Sequence, residues 1–296
     1  MKIIDCFMYF DEDVILDLRL NTLNEYVNHF VIVESNYKHN GEKRDLNFDI
    51  SKFRKFKEKI TYLIYDEVPK NIFKINASDK ENITSEKYIL NAAFRENGQR
   101  NFIMNGLKNA DKDDLILISD VDEIPNLSSI DFYKIKNKLI FFNQEMFYYK
   151  FNLKLPNFNW VGTKACKMKN LINPQWLRNI KDRSYPFYRI DTFFSNNKYM
   201  NIKFINNGGW HFTNIKYPEQ ILNKLKSYLH HREFDLNPLS LEEIQSTIKN
   251  HTAIYDLKKD QRETKIGKGS KLEKYELEKL PPYIKKNPNN FKDWLA

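Results

Sequence analysis

Apolar and polar positions divide the chain into short continuous apolar runs and longer stretches with helical spacing. Lys2 to Phe10 (KIIDCFMYF) is rich in strand formers and predicts a first strand. After Asp11-Glu12-Asp13, the residues Leu16, Leu20, Leu23 and Val27 recur at intervals of four, three and four, which predicts one face of a helix with an acidic first turn. Phe30 to Val33 predicts a second strand, ending in Glu34-Ser35-Asn36. Strand, helix and strand in that order form a unit of parallel-sheet type. Ser51 to Lys59 predicts a short basic helix and Ile60 to Tyr65 a third strand. Residues 66 to 82 read as a loop long enough to act as a lid or to contact substrate. From Ile83 to about Ala110 the spacing is helical, interrupted at Gly98.

Leu115 to Ile118 is a continuous apolar run, as in a strand covered on both faces. It stops at Ser119-Asp120-Val121-Asp122-Glu123-Ile124-Pro125, and Pro125 forbids a strand running through it. Beyond it the pattern predicts a helix over Ser128 to Lys136 and one or two aromatic strands over Leu139 to Leu153. Trp160 to Lys164 reads as a turn-like segment with an exposed Trp. Tyr217 to His231 predicts an amphipathic helix with Ile221, Leu225, Tyr228 and Leu229 inward, and Ser240 to Asn250 a further helix. Residues 256 to 270 read as a polar, lysine-rich loop, and the C-terminal part packs back through Leu280, Phe291 and Trp294. The elements predict an α/β fold with a mostly parallel central sheet flanked by helices. A catalytic domain spans residues 1–235, and a helical extension over 236–296 packs on the same domain.

With 296 residues and 15% aromatics, the chain has ample material for a core and is no disordered chain. The formal charge of +9 favours anionic partners, but the lysines are spread along the sequence and form no nucleic-acid-binding stripe. No apolar run approaches the roughly 20 residues of a membrane helix, and Met1 leads straight into the first strand without a cleavable leader. The expectation is a soluble, cytoplasmic protein, with peripheral contact to a membrane surface left open. Cys6 and Cys166, far apart and without metal-site spacing, fit buried small side chains in a reducing compartment.

Candidate chemistry concentrates where the buried strand opens into its loop. Residues two apart in an extended chain point the same way, so Asp120 and Asp122 face one point in space. Two such carboxylates repel unless a cation sits between them, and their oxygens suit Mg²⁺ or Mn²⁺ carrying a substrate diphosphate. Ligands of open α/β sheets bind beyond the carboxyl ends of the strands, where Asp5 and Glu34 also converge. Arg100 offers a planar fork of donors matched to phosphate oxygens. Asn207-Gly208-Gly209-Trp210-His211-Phe212 supplies a second site, in which Gly209 lets backbone approach a ligand and His211 joins the two carboxylates as a third metal ligand.

Several segments in order carry a resemblance to a known family. They are Ile4-Asp5-Cys6-Phe7, Asp17-Leu18-Arg19-Leu20, Phe30 to Asn36, Gln99-Arg100-Asn101, Asp114 to Pro125, and Gly209-Trp210-His211-Phe212. In these the chain resembles glycosyltransferase family 17 over about residues 1–235. The resemblance implies a GT-A type nucleotide-sugar-binding fold and an inverting, Mn²⁺- or Mg²⁺-assisted transfer of N-acetylglucosamine from UDP-GlcNAc, β-1,4 to mannose or a related sugar. Asp120 and Asp122 match the family's Asp-x-Asp, and Asp5, Glu34, Arg100, Asp120, Gly209 and Trp210 are the expected nucleotide-sugar ligands. Asn28 stands where animal members carry Asp, and the membrane anchor and stalk of those enzymes have no counterpart here. The expected partners are therefore a UDP-sugar donor and a glycan or lipid-linked saccharide acceptor, with no nucleic acid.

An inverting transfer needs a carboxylate base on the side of the anomeric carbon opposite the leaving diphosphate. Glu145, Asp191 and Glu233 are the candidates, with Asp191 slightly favoured. Two other classes compete: a phosphate-ester hydrolase using Asp120 as nucleophile, for which the downstream lysine and second acidic motif are not evident, and a basic nucleic-acid-binding protein.

Overall fold

A computed structural model describes residues 1–186, 188–228, 231–255 and 269–296. Among these, ten strands form one curled, mostly parallel sheet: β1 (Ile3–Tyr9), β2 (His29–Ser35), β3 (Ile60–Tyr65), β4 (Leu115–Asp120), β5 (Glu123–Pro125), β6 (Leu139–Tyr148), β7 (Leu153–Lys167), β8 (Ile202–Ile205), β9 (Gly209–Thr213) and β10 (Glu273–Lys274). The helices are α1 (Asp13–Leu23), α2 (Glu81–Asn101), α3 (Pro174–Asn179), α4 (Pro218–Ser227), α5 (His231–Leu236), α6 (Leu241–Lys249) and α7 (Pro282–Lys286).

The strand order is β3-β2-β1-β4-β7-β6-β9-β5, with β8 added beside β6 and β10 beside β7. The first four are mutually parallel; β7 runs antiparallel to both β4 and β6. Only Val121 and Asp122 separate β4 from β5, yet β5 lies at the far end of that order, paired with β9. The sheet therefore curls back on itself, and the acidic turn lies where its β5 end meets the carboxyl end of the central strand β4.

Alternation along the strands sorts the core onto two faces. Leu115 and Leu117 face α1 and the C-terminal segment, in one cluster with Leu16, Leu20, Leu23, Leu280, Ile284 and Phe291. Ile116 and Ile118 face the other way, packed with Ile103, Leu107 and Leu177. A third cluster joins the ends of β6 and β7 to α4, α5 and α6 through Tyr148, Leu155, Ile221, Phe234 and Ile244. The 236–296 segment is tied in by hydrogen bonds as well, since Trp210 Nε1 donates to the Lys279 carbonyl at 3.0 Å and the Phe151 amide to that of Trp294 at 2.8 Å. Cys6 and Cys166 are buried free thiols, on strands separated by β4.

Several local expectations change. Helix α2 runs unbroken through Gly98, where a Cβ would come 2.3 Å from the Tyr65 hydroxyl; the glycine makes room for a strand side chain, and the helix tightens into a 3₁₀ turn only at Phe102–Leu107. The loop before α2 is tied to that helix, since Phe73 exchanges both backbone hydrogen bonds with the Asn91 side chain, and none of residues 66–82 lines the main cleft. No helix forms over Ser128 to Lys136: the Asn126 and Asp131 side chains accept from the amides of Ser128 and Tyr133, and such Asx turns compete with helix. Trp160 to Lys164 is strand, within β7. The 217–231 helix divides into α4 and α5, with Leu229 outside the described residues, as is 256–268 of the polar loop.

Gly209 opens β9 at φ +132°, and a Cβ there would meet the Ile124 carbonyl oxygen at 2.1 Å. The three nearest atoms are all backbone of residues 124–126, which leaves nothing to yield. Gly209→Ala is expected to lower stability by about 2–4 kcal/mol, read as a drop in the urea midpoint; an unchanged midpoint would show that the β5–β9 ladder does not hold the curled sheet closed.

Candidate active site

The carboxyl ends of β1, β2 and β4 open into a cleft of about 320 Å³. Tyr9, Phe10 and Tyr37 give it an aromatic wall, Lys38, Arg44 and Lys224 contribute cations, and Asp120, Asp122 and His211 lie at one end. Tyr228 and Tyr255, whose hydroxyls hydrogen-bond each other, face in from the C-terminal side.

The acidic turn is held from beneath by Arg19, which is completely buried. Its Nε and Nη2 donate to the two oxygens of Asp5 at 2.8 and 2.6 Å, and Nη2 also to the Ser119 hydroxyl. Nη1 donates to the carbonyls of Asp120, Val121 and Glu123 at 3.1, 3.2 and 2.8 Å. Asp5 is thus an anchor for the turn, itself buried and out of reach of a ligand. Glu34 likewise has no exposed surface: it accepts from Arg44, Tyr62 and the amides of Asn47 and Phe48, and fixes the loop that carries Lys38 and His39. Both residues stand near the cleft as expected, as supports and not as lining groups.

A second arginine binds the turn from the side. Arg178, at the end of α3, forks onto Glu123 with Nη1–Oε2 at 2.7 Å and Nη2–Oε1 at 2.9 Å, and Nη2 reaches Asp120 Oδ2 at 3.2 Å. Glu123 is fully buried and also accepts from Trp160 Nε1 at 2.6 Å and from the Asp120 amide at 2.9 Å. Arg100 Nη2 donates to Asp120 Oδ1 at 3.0 Å and to Glu96 Oε1 at 2.6 Å. Both Asp120 oxygens are therefore held by arginine. Burial disfavours the Asp120 charge, but Arg178 and Arg100 outweigh it and hold the carboxyl well below the usual carboxylate range.

His211 arrives through the β5–β9 ladder, in which it is the register partner of Glu123. The Phe212 amide donates to the Asp122 carbonyl at 2.9 Å, and His211 Nε2 stands 3.6 Å from Asp122 Oδ1, with the Trp160 ring 5.2 Å from the imidazole. His211 is 8% exposed, and its Nδ1 is buried without a hydrogen-bond partner among the described residues. Burial would lower its pKa, but the charges of Asp122, Glu123 and Asp120 raise it above the ordinary 6.5. His39, across the cleft, goes the other way: burial, assisted by the Arg100 charge, lowers it in spite of Glu96. No group of three His, Cys, Asp or Glu side chains among the described residues is placed to hold a metal ion.

Asp120, Asp122, His211 and Arg100 thus come together as expected, though the chain is not extended across both aspartates: Asp120 ends β4 and Asp122 is in the turn that follows. Gly209 and Trp210 do not join them: Gly209 is in the ladder, and Trp210 is buried in the core with its indole N–H on Lys279. Asp191 is bound by Arg189 and Lys198 on a surface loop, and Glu145 by Lys154 on β6; neither lines the cleft. Glu233, on α5, does not line the cleft either but lies near the tyrosine wall: burial raises the pKa of Tyr228 and Tyr255, and the charge of Glu233 adds to the rise. Arg19 and Arg178 hold the site without being among the residues expected to form it. Arg19 had a signal in the sequence, an arginine three after Leu16 and four before Leu23 on the apolar face of α1, whereas nothing near Arg178 in sequence marks its partners.

The comparison with known families decides what this cleft belongs to. Glycosyltransferase family 17 matches residues 1–296, the whole chain. The chain belongs to glycosyltransferase family 17. No curated protein matches it at a significant level. As a family 17 glycosyltransferase it acts on a sugar donor and a glycan acceptor. The hydrolase alternative, with Asp120 as nucleophile, meets a carboxylate whose two oxygens are both engaged by arginines.

Two outcomes test this geometry in the family 17 chain. In a metal-free NMR titration of the imidazoles, His211 is expected to titrate above 6.5 and His39 below it. Stability linked to His211 is then fully present below about pH 6.5 and lost as pH rises through its folded pKa, while His39 costs stability as pH falls below about 6.5. Asp122→Asn should lower the His211 value; identical titration of both rings would contradict the placement. Arg178→Ala, which strands the buried Glu123, is expected to cost about 3–5 kcal/mol, measured by denaturant unfolding. Arg178→Lys, lacking the fork, should recover only part of it.

Proposed function

We propose that this glycosyltransferase adopts a GT-A type fold and moves N-acetylglucosamine from UDP-GlcNAc, with inversion, onto a glycan hydroxyl, β-1,4 to mannose or a related sugar. The observation that carries the reading is the facing pair Asp122 and His211 at the end of a cleft built on the carboxyl edges of β1, β2 and β4. Aromatic and cationic walls beside that pair suit a nucleotide base and a diphosphate.

Metal assistance belongs to the same proposal. Asp122 and His211 offer one oxygen and one nitrogen donor, a set that fits Mn²⁺ or Mg²⁺ arriving on a diphosphate, since such ions need only one or two protein ligands. Asp120 contributes to the site by keeping the turn charged and in place between Arg100 and Arg178. When bound, the ion neutralises charge developing on the leaving diphosphate. The protein groups do the rest: the arginine-held turn orients Asp122, and the aromatic wall positions the base and excludes water. Of the three base candidates we retain Glu233, whose charge is felt by the cleft tyrosines. It takes the proton from the acceptor hydroxyl as the new glycosidic bond forms.

Calorimetry with UDP-GlcNAc, UDP-glucose and GDP-mannose, with and without Mn²⁺, tests the donor. Metal-dependent binding of UDP-GlcNAc, weakened at least about tenfold by Asp122→Ala, is the expected outcome; a protein that binds none of the three under any metal condition refutes the donor assignment. Glu233→Gln should preserve donor binding and lower kcat by about 10²–10⁴, whereas Glu145→Gln leaves turnover intact. Unchanged turnover in Glu233→Gln would remove it as the base.

A further inference from the structure

The segment after α3 pairs its charged groups with one another while large apolar side chains face solvent. Lys181 N donates to the Asn197 carbonyl at 2.8 Å and Trp176 Nε1 to that of Asn196 at 3.1 Å, so residues 181–197 form a loop closed at its stem. Within this segment Arg189 forks onto Asp191 at 2.7 and 2.9 Å as a half-exposed pair, Lys198 reaches Asp191 at 2.7 Å, and Thr192 Oγ1 donates to the Arg189 carbonyl. Tyr185 and Thr192 are turned inward, 8% and 7% exposed. The large apolar side chains point out: Ile190 is 72% exposed, Phe193 69%, Phe194 91%, and Tyr188 69%. Polar groups thus satisfy one another while four apolar ones within seven residues face solvent, an arrangement that marks a contact surface.

We propose that this loop docks the protein on an anionic lipid bilayer. Three observations favour a bilayer over a protein partner. The apolar groups stand on a loop tip, with Phe194 almost fully clear of the protein, which suits insertion between headgroups better than the filling of a groove. Aromatic side chains beside aliphatic ones are the composition of membrane interfaces. The charge is complementary: residues 181–198 carry four basic residues against two acids, both acids are ion-paired within the protein, and Lys181 and Arg183 are exposed on a chain of net charge +9. Docking here is independent of the transferase chemistry.

Flotation of the full chain with vesicles of phosphatidylglycerol and phosphatidylethanolamine, without donor or metal, tests the docking. Wild type is expected to float with these vesicles, and far less with phosphatidylcholine alone. The pair Phe193→Ser and Phe194→Ser should lower partitioning by about tenfold or more with an unchanged circular dichroism spectrum. Ile190→Ser, as an independent variant, should weaken it to a smaller degree. In Phe194→Trp, with tryptophan emission compared against wild type, brominated lipid should quench the added emission. Wild type that stays with the soluble fraction, or serine variants that float as well as wild type, would overturn the proposal. So would a concentration-dependent dimer in sedimentation velocity that the same substitutions dissolve, since a second copy would then cover the patch. Failure of donor binding would leave the flotation result standing, and the reverse holds equally.

Discussion

The active-site end of this fold depends on a single buried cation. Arg19 has no contact with water, and an arginine so placed is tolerated only if its donors are satisfied and its charge is matched. Asp5 matches the charge, and Ser119 together with three carbonyls of the 120–123 turn take the remaining donors. The bargain is mutual, because those carbonyls leave the ladder at the end of β4 and would otherwise be orphaned in the interior. Helix α1, strand β1 and the acidic turn are thereby fixed to one another through one side chain.

Once the turn is fixed, the curl of the sheet follows and delivers the rest. Strand β5 begins two residues after β4 and can pair only with a strand brought around to meet it, which is β9. That pairing sets His211 opposite the turn. Arg178 and Arg100 then balance the carboxylates from two sides, so that three acids within four residues coexist without mutual repulsion deciding the conformation. The outcome is a charged edge in which Asp122, facing the raised-pKa His211, is the carboxylate that neither Arg100 nor Arg178 binds among the described residues.

The opposite treatment of polarity in the 181–197 loop fits the same molecule. At the cleft, charge is buried and paired to hold a turn; in the loop, charge is paired so that apolar groups can face outward. Both devices depend on arginine, whose planar fork fixes a carboxylate in orientation as well as in position.

The chain's local chemistry determined much of this by itself. Apolar runs and helical spacing gave β1, α1, β2, β3, β4 and α6 near their observed bounds, and the acids after Ile118 marked the business end of the sheet, because these signals depend on residues close in sequence. Glycines and short polar stretches misled where the reason was distant: Gly98 accommodates Tyr65 from another strand, and Gly209 accommodates the Ile124 carbonyl. Tertiary structure alone decided that Glu34 and Asp5 support the site from within, that Trp210 is core while Trp160 holds Glu123, and that Arg178 completes the charge balance. Each of those roles is defined by a partner between 10 and 69 residues away, and the spacing along a chain carries no information about which buried donor will meet which buried acceptor.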